Sequence, residues 1–127
     1  MRSWQPEMGL MSEERDCLFC SIVRGEIPAT IVYKEGGVTA FRDVAPQAPT
    51  HILVIPDQHI GGAARLAEAD EQIAGRLLRV AAELARREGI EEGGYRLIIN
   101  QGHNAGQTVP HLHVHLLGGR ILPTPLV

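Results

Sequence analysis

Apolar and polar residues change their spacing several times along the chain, and each change predicts an element. Residues 1–15 are polar and aperiodic, which predicts a mobile tail. Phe19, Ile22 and Val23 give residues 17–24 one apolar side. A short helix is expected there, with Asp16 as N-cap, Gly25 just past its end and Pro28 barring continuation. Ile31, Val32 and Tyr33 predict a strand over 29–34, Gly36-Gly37 a tight hairpin, and residues 38–43 the return strand. Pro46 and Pro49 mark a loop. Residues 51–55 hold an unbroken aliphatic run, expected to be a central strand ended by Pro56. A helical turn is expected over 63–66. Ile73, Leu77, Val80, Ala81 and Leu84 then recur at three- and four-residue steps, predicting an amphipathic helix over 70–88 closed by Gly89. Its charges (Arg76, Arg79, Glu83, Arg86, Arg87) read as a solvated face. A fourth strand over 95–100 and a fifth beyond residue 110 complete the pattern, and residues 121–127, with two prolines, form an extended tail.

Short links between strands and a single long helix argue for an α+β fold. The expected architecture is an antiparallel five-stranded sheet with one long and one short helix. At 127 residues the chain suits a single domain, taken as 16–127 behind the tail. The formal charge of −3 and the lack of any long basic run speak against a nucleic-acid surface. A nucleotide stays possible, because local backbone dipoles can hold a few phosphates. Two cysteines cannot form a disulfide framework, and their spacing, Cys17-Leu18-Phe19-Cys20, suggests a reducing compartment. No run is long enough to cross a membrane and the first fifteen residues lack a signal-peptide pattern, so a cytoplasmic protein is expected.

The fifth strand carries the chemistry. His111, His113 and His115 alternate with Leu112, Val114 and Leu116. On a strand the three imidazoles share one face, roughly 6.5–7 Å apart. Each needs a hydrogen-bond partner if buried, a demand that a purely structural face has little reason to accept. A metal strip and a half-exposed polar face are the competing readings. The preceding Gly106-Gln107-Thr108 can present successive N–H groups as an anion nest, which favours a phosphate beside the histidines. A neutral imidazole is a good nucleophile near pH 7, and His113, flanked by two possible donors, suits that role. On residue type alone, His51 is a structural histidine, Asp43 a surface carboxylate paired with Arg42, and Asn100 and Thr108 carry little signal. Cys17 and Cys20 admit four readings: zinc ligands, a redox pair, a disulfide, or small core residues.

His111-Leu112-His113-Val114-His115-Leu116-Leu117 matches the histidine-triad (HIT) signature, and Gly118-Gly119-Arg120 resembles its HINT branch. Glu26-Ile27-Pro28-Ala29, Ala40-Phe41-Arg42-Asp43-Val44, Pro46-Gln47-Ala48-Pro49-Thr50-His51 and Leu53-Val54-Ile55-Pro56 resemble that branch in the same order, over residues 16–120. The resemblance implies a hydrolase of purine nucleoside 5′-phosphoramidates or related nucleotidyl conjugates, with His113 transiently nucleotidylated. It implies catalytic roles for His115, His111 and His51, and a ribose contact for Asp43. It implies nucleotide contacts for Asn100, Gly106, Gln107 and Thr108, and a base pocket of Phe19, Ile22, Ile27, Phe41 and Val44. Structural Zn²⁺ on Cys17, Cys20, His59 and His111 is implied too, with no cofactor required for the chemistry. So is a twofold homodimer through the fourth strand or the long helix. A dinucleoside-polyphosphate hydrolase, a nucleotidyl transferase, a zinc-dependent hydrolase and a nucleotide-binding regulatory module are the alternatives. The Leu122–Val127 tail lacks the aromatic residue of animal HINT proteins.

Overall fold

A computed structural model of the protein describes residues 12–124 and 126. The tail expected over 1–15 lies outside them up to residue 11, and Ser12–Arg15 form one helical turn, α1. The short helix α2 spans Leu18–Val23. Its N-cap is Cys17 rather than Asp16, because the Cys17 sulfur accepts from the Cys20 N–H at 3.4 Å. Gly25, at φ +76°, ends it as expected.

The strands are β1 (Ile31–Glu35), β2 (Val38–Arg42), β3 (Thr50–Pro56), β4 (Tyr95–Ile98) and β5 (Val114–Gly118). They form one sheet in the order β1-β2-β3-β5-β4, every neighbouring pair antiparallel. Glu35 pairs with Val38 across the hairpin, and Gly36 and Gly37 supply the two positive φ angles (+62° and +82°) that a two-residue turn of matching twist requires. The long helix α3 spans Glu71–Arg87, one residue inside the expected bounds at each end. A 3₁₀ turn at Ala63–Arg65 takes the place of the expected helical turn.

Strand periodicity splits the core in two. Val38, Ala40, Ile52, Val54, Val114 and Leu116 point to one face and pack under α3 against Leu77, Val80, Ala81 and Leu84. Phe41, Leu53 and Ile55 point to the other face, where α2 brings Cys17, Phe19, Cys20 and Ile22. Both faces of β3 are therefore covered, which is why its sequence is continuously apolar and all seven residues are buried. A bidentate ion pair of Arg42 with Glu88 (2.9 and 3.0 Å) ties the end of α3 to β2.

The fifth strand begins later than its alternation predicts. His111 and His113 lie on its extended approach, and only His115 is within β5. Pro110 has no N–H to give, and the Leu112 N–H turns to the Ile60 carbonyl (2.6 Å) instead of a sheet neighbour. The alternation of faces survives: Leu112 joins the α3 core, and the three histidines share the α2 face.

Leu116 is fully buried between β5 and α3. Its replacement by Ala should cost about 2–5 kcal/mol of unfolding free energy, mostly through the cavity it leaves. Urea denaturation checks this as a lowered midpoint at unchanged slope.

Candidate active site and adjoining metal-ligand cluster

The α2 face holds a cavity of about 450 Å³ whose floor is sheet and whose wall is helix. Leu18, Phe19, Ile22, Phe41 and Leu53 make it apolar; Asp43, Thr108, His113 and His115 give it a polar end. Ile27 and Val44 belong to its rim, Val44 almost wholly exposed where a base-pocket residue was expected to be covered. A mainly apolar cleft with a few convergent polar groups is the usual form of a small-molecule site.

Each triad imidazole has a different partner. The His113 Nδ1–H donates to the His111 carbonyl at 2.6 Å, so the neutral ring carries its lone pair on Nε2. His51 accepts the Gln47 backbone N–H at Nδ1 (3.0 Å), so its proton sits on Nε2. That Nε2–H donates to Nδ1 of His115 at 3.0 Å, which leaves the His115 proton on Nε2. One backbone N–H thus sets the tautomers of two rings in series. Burial lowers the pKa of His51, and burial with the nearby His113 pushes His115 down to about 4, so both are neutral at pH 7. An oxygen of Asp43 lies 3.5 Å from His51 Nε2, and its other oxygen accepts the Ala45 N–H at 2.8 Å. Asp43, His51 and His115 are close enough together for a cation, but neutral imidazoles in these tautomers offer it no lone pair from His51.

His111 is directed away from the cavity's polar end. Its Nε2–H donates to the Pro56 carbonyl (2.9 Å), which turns Nδ1 toward Cys17 (3.3 Å) and Cys20 (3.5 Å). Cys20 also meets His59 Nδ1 at 3.3 Å, and the four donor atoms lie within 4.8 Å of one another. A tetrahedral Zn²⁺ with bonds of about 2.3 Å to sulfur and 2.0–2.1 Å to nitrogen has S···N edges of roughly 3.5 Å. The donor set fits that ion in type, number and spacing, and the Pro56 carbonyl is the outer partner a ligating histidine needs. Burial, then the neighbouring Cys17 thiol, pushes Cys20 up to about 12, while burial brings His111 down to about 4. The three triad rings therefore do not form a metal strip: His111 serves the cysteines, His113 the cavity, and His115 the His51 relay.

The HIT domain family model matches residues 24–122. The chain belongs to the HIT family. It is 53% identical over 112 residues to a purine nucleoside phosphoramidase of Escherichia coli K12, covering 88% of this chain and 92% of that one. A 14 kDa zinc-binding protein of Zea mays is 48% identical over 115 residues, covering 89% of each. Among solved structures, a HIT family hydrolase of Legionella pneumophila superposes with a TM-score of 0.85 at 47% identity, covering 87% of this chain and 98% of that one. This HIT protein is thus a hydrolase of the HINT type, and its α+β sheet is the fold of that family.

Several expected contacts fall elsewhere. The Gly106 and Gln107 N–H groups close the turn onto His103 and Gly102 (both 3.0 Å), so they form no free anion nest. The Gln107 side chain is likewise occupied, accepting from Gly102 N–H (2.7 Å) and donating to the Gly61 (2.9 Å) and Val109 (3.1 Å) carbonyls. Its amide braces the connection between β4 and β5 against the segment after β3. Asn100 lies past the end of β4 and does not line the cavity, whereas Thr108 does. Sequence reading missed Leu53, Val109 and Leu18 in the lining, and the Gln47 N–H and Pro56 carbonyl behind the histidines. Leu53 stands two residues after His51 and so shares its face of β3, a signal present in the spacing; the two backbone groups leave no trace in residue type.

Burial of neutral His115 makes stability depend on pH. Its folded value lies below the ordinary 6.5, so the unfolded chain takes up the proton first as pH falls. Stability should be undiminished by this group above pH 6.5, decline from there to about 4, and fall no further below. Unfolding free energies measured across that window should show a shallower decline in His115→Gln than in the wild type.

Proposed function

We propose that this protein hydrolyses purine nucleoside 5′-phosphoramidates and related nucleotidyl conjugates by two displacements through a nucleotidyl-His113 intermediate. The observation that carries the reading is the 2.6 Å bond from His113 Nδ1–H to the His111 carbonyl, which in the neutral ring places the lone pair on Nε2, in a ring lining the cavity. In the first displacement Nε2 bonds to the α-phosphorus, the P–N bond breaks, and the leaving nitrogen takes up a proton from solvent, which the water of the second step returns. Water then attacks the same phosphorus, releasing the nucleoside monophosphate and freeing His113.

The His115 Nε2–H and the Thr108 hydroxyl are the donors at this end of the cavity, and they meet the non-bridging oxygens where charge builds up. Asp43 accepts the ribose hydroxyls, and Phe19, Ile22, Phe41 and Leu53 enclose the base. The name of the Escherichia coli relative supports purine phosphoramidates as the substrate class. Two copies pair about a twofold axis; β4 is an edge strand and Ile99 just beyond it is 45% exposed, which supports contact along that edge.

Zn²⁺ is the proposed occupant of the Cys17, Cys20, His59 and His111 set, a reading supported by the donor geometry and the Zea mays relative. All four positions are protein donors, so the ion's contribution is to hold α2, the segment after β3 and the triad approach together.

His113→Ala should abolish turnover yet still bind AMP, since base, ribose and phosphate contacts remain. Rapid-quench assays and mass spectrometry check this: the wild type should gain the mass of one nucleotidyl group, and the variant none. A variant keeping more than a small fraction of wild-type kcat would remove His113 as nucleophile. Cys17→Ser with Cys20→Ser should release zinc and lower the Tm while leaving phosphoramidase activity measurable at low temperature. Metal analysis and differential scanning fluorimetry read both effects.

A further inference from the structure

The four-donor cluster and the cavity are built from the same parts. Cys17 caps α2 and Cys20 lies within it, while Leu18, Phe19 and Ile22 of the same helix wall the cavity. One and a half turns of helix cannot shift one set without the other. His111 is a second link: its Nδ1 faces the cysteines, and its carbonyl holds Nδ1–H of His113. Phe19 is a third, with its ring edge-on to His111 at 5.9 Å and to His113 at 5.2 Å. Among the described residues, apart from apolar packing and these cysteine–histidine contacts, α2 is fastened to the sheet by the Lys34 ammonium on the Val23 carbonyl (3.1 Å).

We infer that Cys17 and Cys20 are positioning residues for the nucleotide site, and that metal and nucleotide bind cooperatively. Drawing the four donors onto one ion seats α2, which sets the Phe19 wall of the base pocket and the His111 carbonyl behind the nucleophile. The inference rests on the nucleotide reading above and deepens it, giving the cluster a part in substrate binding beyond holding the fold. Linkage makes the effect reciprocal: the factor by which Zn²⁺ tightens nucleotide binding must equal the factor by which nucleotide tightens Zn²⁺ binding.

The test uses the full-length protein, Zn²⁺ and AMP. Calorimetry gives the AMP Kd of zinc-loaded and zinc-stripped protein, with far-UV circular dichroism confirming that the stripped protein stays folded. Competition against a chelator gives the Zn²⁺ affinity with and without saturating AMP. The expected result is a gain of about tenfold in both, equal within error. Phe19→Leu keeps every donor and should retain zinc while reducing the factor to about threefold or less. Should the stripped protein unfold, the chelator arm on loaded wild type and Phe19→Leu carries the comparison alone. Zinc and AMP that both bind, each indifferent to the other, would overturn the inference and leave the proposed activity standing. Absence of AMP binding in every state would sink both. A coupling factor undiminished in Phe19→Leu would assign the effect to folding as a whole and remove the positioning role.

Discussion

His111 is wholly buried, and every polar group it owns is engaged. Its N–H reaches the Val109 carbonyl, its Nε2–H the Pro56 carbonyl, its Nδ1 the two cysteines, and its carbonyl the Nδ1–H of His113. A buried imidazole left with an open lone pair or N–H would cost about 1–3 kcal/mol for each, so this residue tolerates few rearrangements. The approach to β5, the head of α2 and the end of β3 are fixed relative to one another by its demands. The tautomer of His113 follows from where the His111 carbonyl points.

The sheet divides the labour between its faces. Under α3 an aliphatic core supplies the burial that keeps five short strands flat against a helix. On the α2 face β3, β5 and its approach display His51, Leu53, His113 and His115, and among the described residues the short helix α2 is the one helix that covers them. The thin cover leaves a cavity where a second thick layer would have left none. The relay runs across the strands as the cavity requires: Leu53 pairs with His115 and His51 with Leu117, so the two imidazoles stand one diagonal apart on adjacent strands and their nitrogens meet at 3.0 Å.

Elements whose residues all obey one period were legible in the sequence. The 3.6-residue stripe of α3 was read to within one residue at each end, and the Gly36-Gly37 turn fixed the first hairpin. The face shared by the triad histidines was legible too, from an alternation that persists even where strand hydrogen bonding does not. The misreadings have a common cause. Asp16 lost the cap of α2 to a thiol, Gly106 and Gln107 spent their N–H groups on their own turn, and β5 started late because Leu112 bonded to Ile60. In each case a backbone group chose its partner by the path of the chain, and residue identity alone does not record such a choice. The division of the triad into one cluster-facing and two cavity-facing rings is of the same kind, since the Pro56 carbonyl decides it.

The first donor of the His51–His115 relay is the amide of Gln47, a group that every residue type but one carries. Side-chain replacement at position 47 removes only a bond from its carboxamide to the Ala45 carbonyl. An alanine scan would therefore pass over the residue as unimportant, and only proline, which lacks the N–H, would expose what it does. Part of the candidate site is thus written in the path of the main chain, where a catalogue of functional side chains has no place to record it.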